Sequence, residues 1–188
     1  MRSGLAARLL AATLTMLALC RGGAALADED FTLTSTTFND GELMPGKVAD
    51  DRRGTCAGQN VSPQLGWTNA PQGTASFALI ILDPQGQNGL GVYHFVGYGI
   101  AGDVTSFAEG ELSEPTSKYV GGKNSREVYH YSGPCPPPGP PHHYSFVLIA
   151  TDLATNALPP GLTVRGLLAE LEGHAKGSTG MVGLFAEP

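Results

Sequence analysis

Along most of the chain apolar and polar residues alternate in short segments, each closed off from the next by glycine or proline. Phe31-Thr32-Leu33-Thr34-Ser35 follows the period of two that turns one face of a strand toward a core. Ser76-Phe77-Ala78-Leu79-Ile80-Ile81-Leu82 is instead an almost unbroken apolar run, which suits a strand covered on both faces. The segments 92–98 and 144–150, rich in β-branched and aromatic residues, predict two more strands. One stretch has helical spacing. Val164, Leu167, Leu168 and Leu171 recur at i, i+3, i+4 and i+7 behind Thr163, a residue type that caps helices, and Gly173 marks the end. Gly166 inside that helix costs about 1 kcal/mol against alanine, and close packing on a sheet is the expected compensation. Neither Asp83-Pro84-Gln85-Gly86-Gln87 nor the proline run 133–141 can continue a ladder. The run directly precedes a predicted core strand and reads as a rigid loop at its end.

The N-terminal pattern is of another kind. Arg2 and Arg8 precede an apolar run, residues 9–20, that is too short for a membrane span, and Ala25-Leu26-Ala27 supplies the small residues that a signal peptidase reads. Residues 1–27 are therefore expected to be a signal peptide, with cleavage before Asp28, export to the periplasm or beyond, and one domain over residues 28–188. Cys20 raises a lipoprotein alternative, against which stands bulky Leu19 where a small residue is usual.

Removing that segment changes the charge. The remaining 161 residues keep 8 basic and 17 acidic side chains, a net charge of −9 with histidine neutral. Nucleic acid and anionic membrane surfaces recruit basic patches and are excluded as partners on this ground. Any anion must be bound locally, by histidines, backbone N–H groups and hydroxyls. Cys56 and Cys135 remain, an even number in a compartment that permits disulfides. Two separate thiols and one bridge both fit the sequence. A bridge requires Cα atoms within about 7 Å of each other. Two cysteines at no ligand-like spacing make no zinc site, and no cofactor is expected.

Candidate chemistry collects at predicted strand ends. Asp83 closes one strand, His94 lies in the next, and His142 directly precedes the strand that begins at Tyr144. Each has a plain structural reading: Asp before Pro starts turns, and a lone histidine in a strand is commonly a satisfied polar residue.

The order of motifs adds to this. Gly58-Gln59-Asn60-Val61-Ser62-Pro63-Gln64-Leu65-Gly66-Trp67, then Asp83-Pro84 with His94-Phe95, then Gly133-Pro134-Cys135-Pro136-Pro137 with His142-His143-Tyr144-Ser145-Phe146, then Gly173-His174, occur in register across nearly the whole mature chain. Together they resemble the phosphatidylethanolamine-binding protein (PEBP) family in its bacterial, Raf-kinase-inhibitor-like branch. The resemblance implies a mainly β fold, an antiparallel, Greek-key-like β-sandwich with a few peripheral helices. It also implies a pocket for phosphate-like or carboxylate-like anions made by Asp83, His94, Gly133, His142 and Tyr144. A phosphate monoester offers acceptor oxygens to imidazole N–H, backbone N–H and phenolic O–H donors. Asp83, unable to donate while ionised, would accept from an imidazole N–H and fix its tautomer.

Departures from the family pattern shape the expected ligand. Gln85 stands where D-P-D has its second carboxylate and Gln87 where its proline follows, so a cationic amine headgroup loses a partner. His143 replaces the arginine of H-R-Y and loses a permanent charge. His130 and His174 receive surface or structural roles. Three function classes follow: a binder of a phosphorylated or carboxylated small molecule or phospholipid headgroup, an inhibitor of a kinase or serine protease acting through the proline loop, and a hydrolase. The last lacks a G-x-S-x-G elbow, and Ser62 has no base beside it. The expectation is a non-enzymatic anion binder, with one intramolecular Cys56–Cys135 bridge between segments that border the pocket.

Overall fold

The computed structural model describes residues 29–52 and 56–187. The expected signal peptide and its cleavage point lie outside the described residues.

Among the described residues the strands are β1 (Thr32–Thr34), β2 (Leu65–Thr68), β3 (Ser76–Asp83), β4 (Val92–Ala101), β5 (Ser106–Phe107), β6 (Val120–Gly121), β7 (His142–Thr151) and β8 (Ala175–Phe185). They form two antiparallel sheets, a small one ordered β1-β2-β5 and a larger one ordered β6-β4-β3-β7-β8. β3 is central in the larger sheet, which explains its apolar run. Phe77, Leu79 and Ile81 pack against Leu33, Leu65, Trp67 and Phe107 of the small sheet, while Ala78 and Ile80 turn to the opposite face. There they meet Val164, Leu167 and Leu171 of the helix α2 (Val164–Leu171). The fold is thus a β-sandwich with a helix on its outer face.

Thr163 caps α2 as its position predicts, its side chain accepting from the Gly166 N–H at 3.2 Å. Gly166 corrects the expectation of close sheet packing. A side chain there would meet only Thr163 and Leu162 at 3.5–4.0 Å, ordinary contacts within its own segment. β7 begins earlier than its apolar pattern, because His142 already pairs with Phe185 on β8. β8 itself carries no readable alternation. Gly183 holds a core-facing place in it, where a Cβ would lie 2.6 Å from the Met44 sulfur, so the apolar signal is erased where the neighbouring chain comes closest.

Candidate functional site

Asp83, His94, His142 and Tyr144 come from the same end of the three adjacent strands β4, β3 and β7. They line one cavity of about 480 Å³, within the range of small-molecule sites. His142 and Tyr144 lie two apart on β7 and so share a face. His94 reaches it by a bulge. The β3/β4 register steps from Ile81↔Phe95 to Leu82↔Tyr93, which leaves His94 as the extra residue. Tyr93 then packs with the helix-side core, while the His94 ring lies edge-on to Tyr144 at 5.1 Å on the sandwich side. Bulges re-aim side chains in this way beside functional sites.

Asp83 serves the turn and the cavity together. Its Oδ1 accepts from the Gln85 and Gly86 N–H groups at 2.9 and 3.1 Å, and its Oδ2 meets His142 Nδ1 at 2.8 Å. The turn continues as the single-turn α1 (Gly86–Gly89), with Gln87 and Asn88 in left-handed conformation. A carboxylate accepts, so Nδ1 of His142 carries the hydrogen and Nε2 is its remaining group.

His94 is held the same way by a different acceptor. Its Nδ1 lies 2.6 Å from the Ser132 carbonyl oxygen, which only accepts, so in the neutral ring the proton sits on Nδ1 and Nε2 is a lone pair. That Nε2 is buried and has no partner, and the buried Tyr144 hydroxyl lies near the Asp83 carboxylate without a well-formed hydrogen bond to it. Burial pushes the His94 pKa below its usual value, outweighing the Ser132 carbonyl and the Asp83 carboxylate, which act the other way. Burial, and secondarily Asp83, pushes the Tyr144 phenol up, so it stays a donor. Burial thus favours the neutral His94 ring at neutral pH.

The rim holds charge that sequence motifs did not flag. Arg52 and Arg126 both line the cavity and both pair with Asp50, a carboxylate only 1% exposed. Arg52 Nε lies 3.0 Å from Oδ1, and Arg126 Nη1 pairs with Oδ2. Asn124 orders the loop that carries Arg126. Its amide nitrogen donates to the His94 and His130 carbonyls, and its oxygen accepts from the Arg126 and Val128 N–H groups. No spacing rule marks the group, since Arg126 lies far in sequence from Asp50 and Arg52, which are two positions apart.

Cys135, Pro136 and Pro137 of the proline run also line the cavity. Cys135 is bonded to Cys56, with Cα atoms 5.7 Å apart across 79 positions of sequence. Asn60 ties the same segments together, its oxygen accepting from the Gly133 N–H at 2.8 Å. Gly133 is not among the cavity-lining residues, and that N–H is already engaged. Its lack of a side chain is what the fold uses, because a Cβ would lie 2.3 Å from the Val48 oxygen and 2.6 Å from the Asp50 nitrogen. Gly133→Ala is expected to cost about 3 kcal/mol, the upper part of the overpacking range, in urea denaturation. An unchanged midpoint would contradict this.

Other sequence candidates fall elsewhere. The two departures Gln85 and His143 meet each other: Gln85 Oε1 lies 2.7 Å from the His143 N–H and 2.9 Å from its Nδ1. His174 sits at the far end of β7 and pairs with Asp152 at 2.7 Å, and His130 Nδ1 meets the Tyr131 carbonyl. The Ser62 hydroxyl is buried away from the cavity and accepts from the Leu112 N–H. Among the described residues no cluster of His, Cys, Asp and Glu is placed to hold a metal ion.

Comparison with known proteins agrees with this architecture. The family model described as phosphatidylethanolamine-binding protein matches residues 34–186. The chain is 35% identical over 158 residues to a UPF0098 protein of Methanothermobacter thermautotrophicus, covering 81% of this chain and 97% of that one. It is 36% identical over 165 residues to a Mycobacterium tuberculosis protein named "Putative lipoprotein LppC", covering 85% and 74%. The crystal structure of Escherichia coli YbcL, described as a new member of the mammalian PEBP family, superposes with a TM-score of 0.76 at 26% identity. It covers 85% of this chain and all of that one. Strand order, motif register and relatives converge, and the chain belongs to the phosphatidylethanolamine-binding protein family.

Proposed function

We propose that the protein is an exported, non-catalytic binder of a small molecule bearing a phosphate or carboxylate, held at the base of the cavity. The observation that carries this reading is the buried, unpartnered His94 Nε2, beside the buried Tyr144 hydroxyl that makes no well-formed hydrogen bond, in the cavity that His142 also lines. Buried polar groups without partners are rare in native folds and call for a water, an ion or a ligand, and these two face one cavity of small-molecule size. A tetrahedral or planar anion is the complement, because it offers several acceptor oxygens to the phenol and to protonated imidazoles.

A binding role is favoured over hydrolysis by what surrounds these groups. Among the described lining residues none is serine or threonine, and Cys135 is consumed in the bridge. Export is supported by the N-terminal sequence pattern and by the lipoprotein name of the mycobacterial relative. No helix among the described residues is long and apolar enough to cross a membrane.

Native mass spectrometry of protein from the envelope fraction of its own cells tests both parts. The expected species starts at Asp28 and carries one anionic small molecule that His142→Ala fails to retain. Residues 1–27 retained on most molecules would remove the export argument. Identical adduct-free spectra for both proteins, even with added phosphate, would remove the binding site.

A further inference from the structure

The base of the cavity is sufficient for one anionic group, yet the rim carries two guanidinium groups that this group does not need. We infer that Arg52 and Arg126 form a second anion contact, so that the ligand bears two anionic groups, a phosphate at the histidines and a carboxylate or second phosphate at the mouth. This inference rests on the anion-binding reading of the same cavity.

The geometry around Asp50 is the reason. One buried carboxylate receives both arginines, so the trio has a net positive charge of one unit facing an acidic protein. Each guanidinium has five N–H donors in a planar fork. Arg52 uses its Nε on Asp50 and Arg126 its Nη1, which leaves N–H donors on both while their planes are fixed from behind. Asp50 is itself held by the Pro134 carbonyl, which accepts from its N–H at 2.9 Å, so the arginine anchor is part of the cavity wall. Pre-oriented guanidinium pairs are suited to carboxylate or phosphate recognition.

The same rim argues against a cationic headgroup. Among the described lining residues Asp83 alone is acidic, and both its oxygens are taken by the turn and by His142. Gln85, where the family pattern has a carboxylate, has its oxygen engaged by His143. An ammonium entering the mouth would meet two arginines and no unengaged carboxylate. The cavity, at about 480 Å³, is also larger than a single tetrahedral anion requires.

Three probes separate the possibilities: ethyl phosphate, phosphoglycolate and phosphoethanolamine, titrated by calorimetry into the mature protein. Phosphoglycolate is expected to bind about tenfold or more tighter than ethyl phosphate, the worth of an added charge-assisted contact. Phosphoethanolamine is expected to bind no tighter than ethyl phosphate. Arg52→Gln, which leaves Asp50 its Arg126 partner, should weaken phosphoglycolate about tenfold more than it weakens ethyl phosphate, collapsing the preference. Ethyl phosphate binding with no phosphoglycolate preference, or a preference that survives both Arg52→Gln and Arg126→Gln, would overturn the second contact and leave the anion site standing. Failure of all three probes to bind would overturn both.

Discussion

Reduction of the Cys56–Cys135 bridge is expected to lower the unfolding free energy by up to about 4 kcal/mol. The bridge closes a loop across 79 positions, and in the chain-entropy model such a long closure removes much of the freedom of the unfolded state. The native side changes less. Asp50 N–H to Pro134 O, Gly133 N–H to Asn60 Oδ1 and Tyr131 hydroxyl to Val48 O already join the same segments at 2.8–2.9 Å. The folded protein should therefore keep its sheets when reduced and lose stability through its unfolded ensemble. Urea denaturation of oxidised protein, reduced protein and the Cys56→Ala/Cys135→Ala double variant measures this. The last two should coincide well below the first, and equal midpoints for all three would contradict the account.

Truncating either pocket histidine should weaken anion binding by about 1.5–3 kcal/mol, the range for hydrogen bonds to charged groups, with the sheets intact. The effect depends on pH because the empty pocket holds His94 neutral. Its pKa lies below the usual 6.5, chiefly through burial. An anion against Nε2 favours the protonated ring and pulls that pKa up. Between the two values the complex holds a proton that the empty protein lacks, so affinity weakens as pH rises through that window. Stability of the empty fold runs the other way. With the folded pKa depressed, the unfolded chain binds the proton more readily, so this contribution is present above about 6.5 and is lost as pH falls. Isothermal titration of phosphate into wild type, His94→Ala and His142→Ala at mildly acidic and mildly alkaline pH reads both effects. Equal affinities across all six titrations would place the anion elsewhere.

Particular residues show what could be read from the sequence. The apolar run of β3 announced a strand covered on both faces, and the spacing behind Thr163 announced α2, because burial and capping act over a few neighbouring positions. For Asp83 the turn-starting and the imidazole-acceptor readings both hold, one carboxylate oxygen for each. The motif 58–67 that carries the family resemblance turns out to be scaffolding, with Asn60 joining segments and Trp67 in the core. The aim of His94 was not legible, since a bulge is a property of register between two strands. Nor was the Arg52–Asp50–Arg126 rim, because only the fold brings Arg126 to the local Asp50–Arg52 pair. β8 escaped because its glycines remove the alternation at the positions where neighbours crowd closest.

The central claim is that His94 Nε2 is a bare acceptor in the empty pocket and becomes a donor when an anion binds. Sulfate tests it most directly, because at neutral pH it has no proton of its own to give to the ring. Calorimetric titration of sulfate in two buffers of different ionisation enthalpy counts the protons taken up with the ligand. The account predicts a binding heat that depends on the buffer, with an uptake that falls by about one proton in His94→Ala at the pH where His94 is neutral when empty. Sulfate binding with the same heat in both buffers, unchanged by His94→Ala, would contradict it.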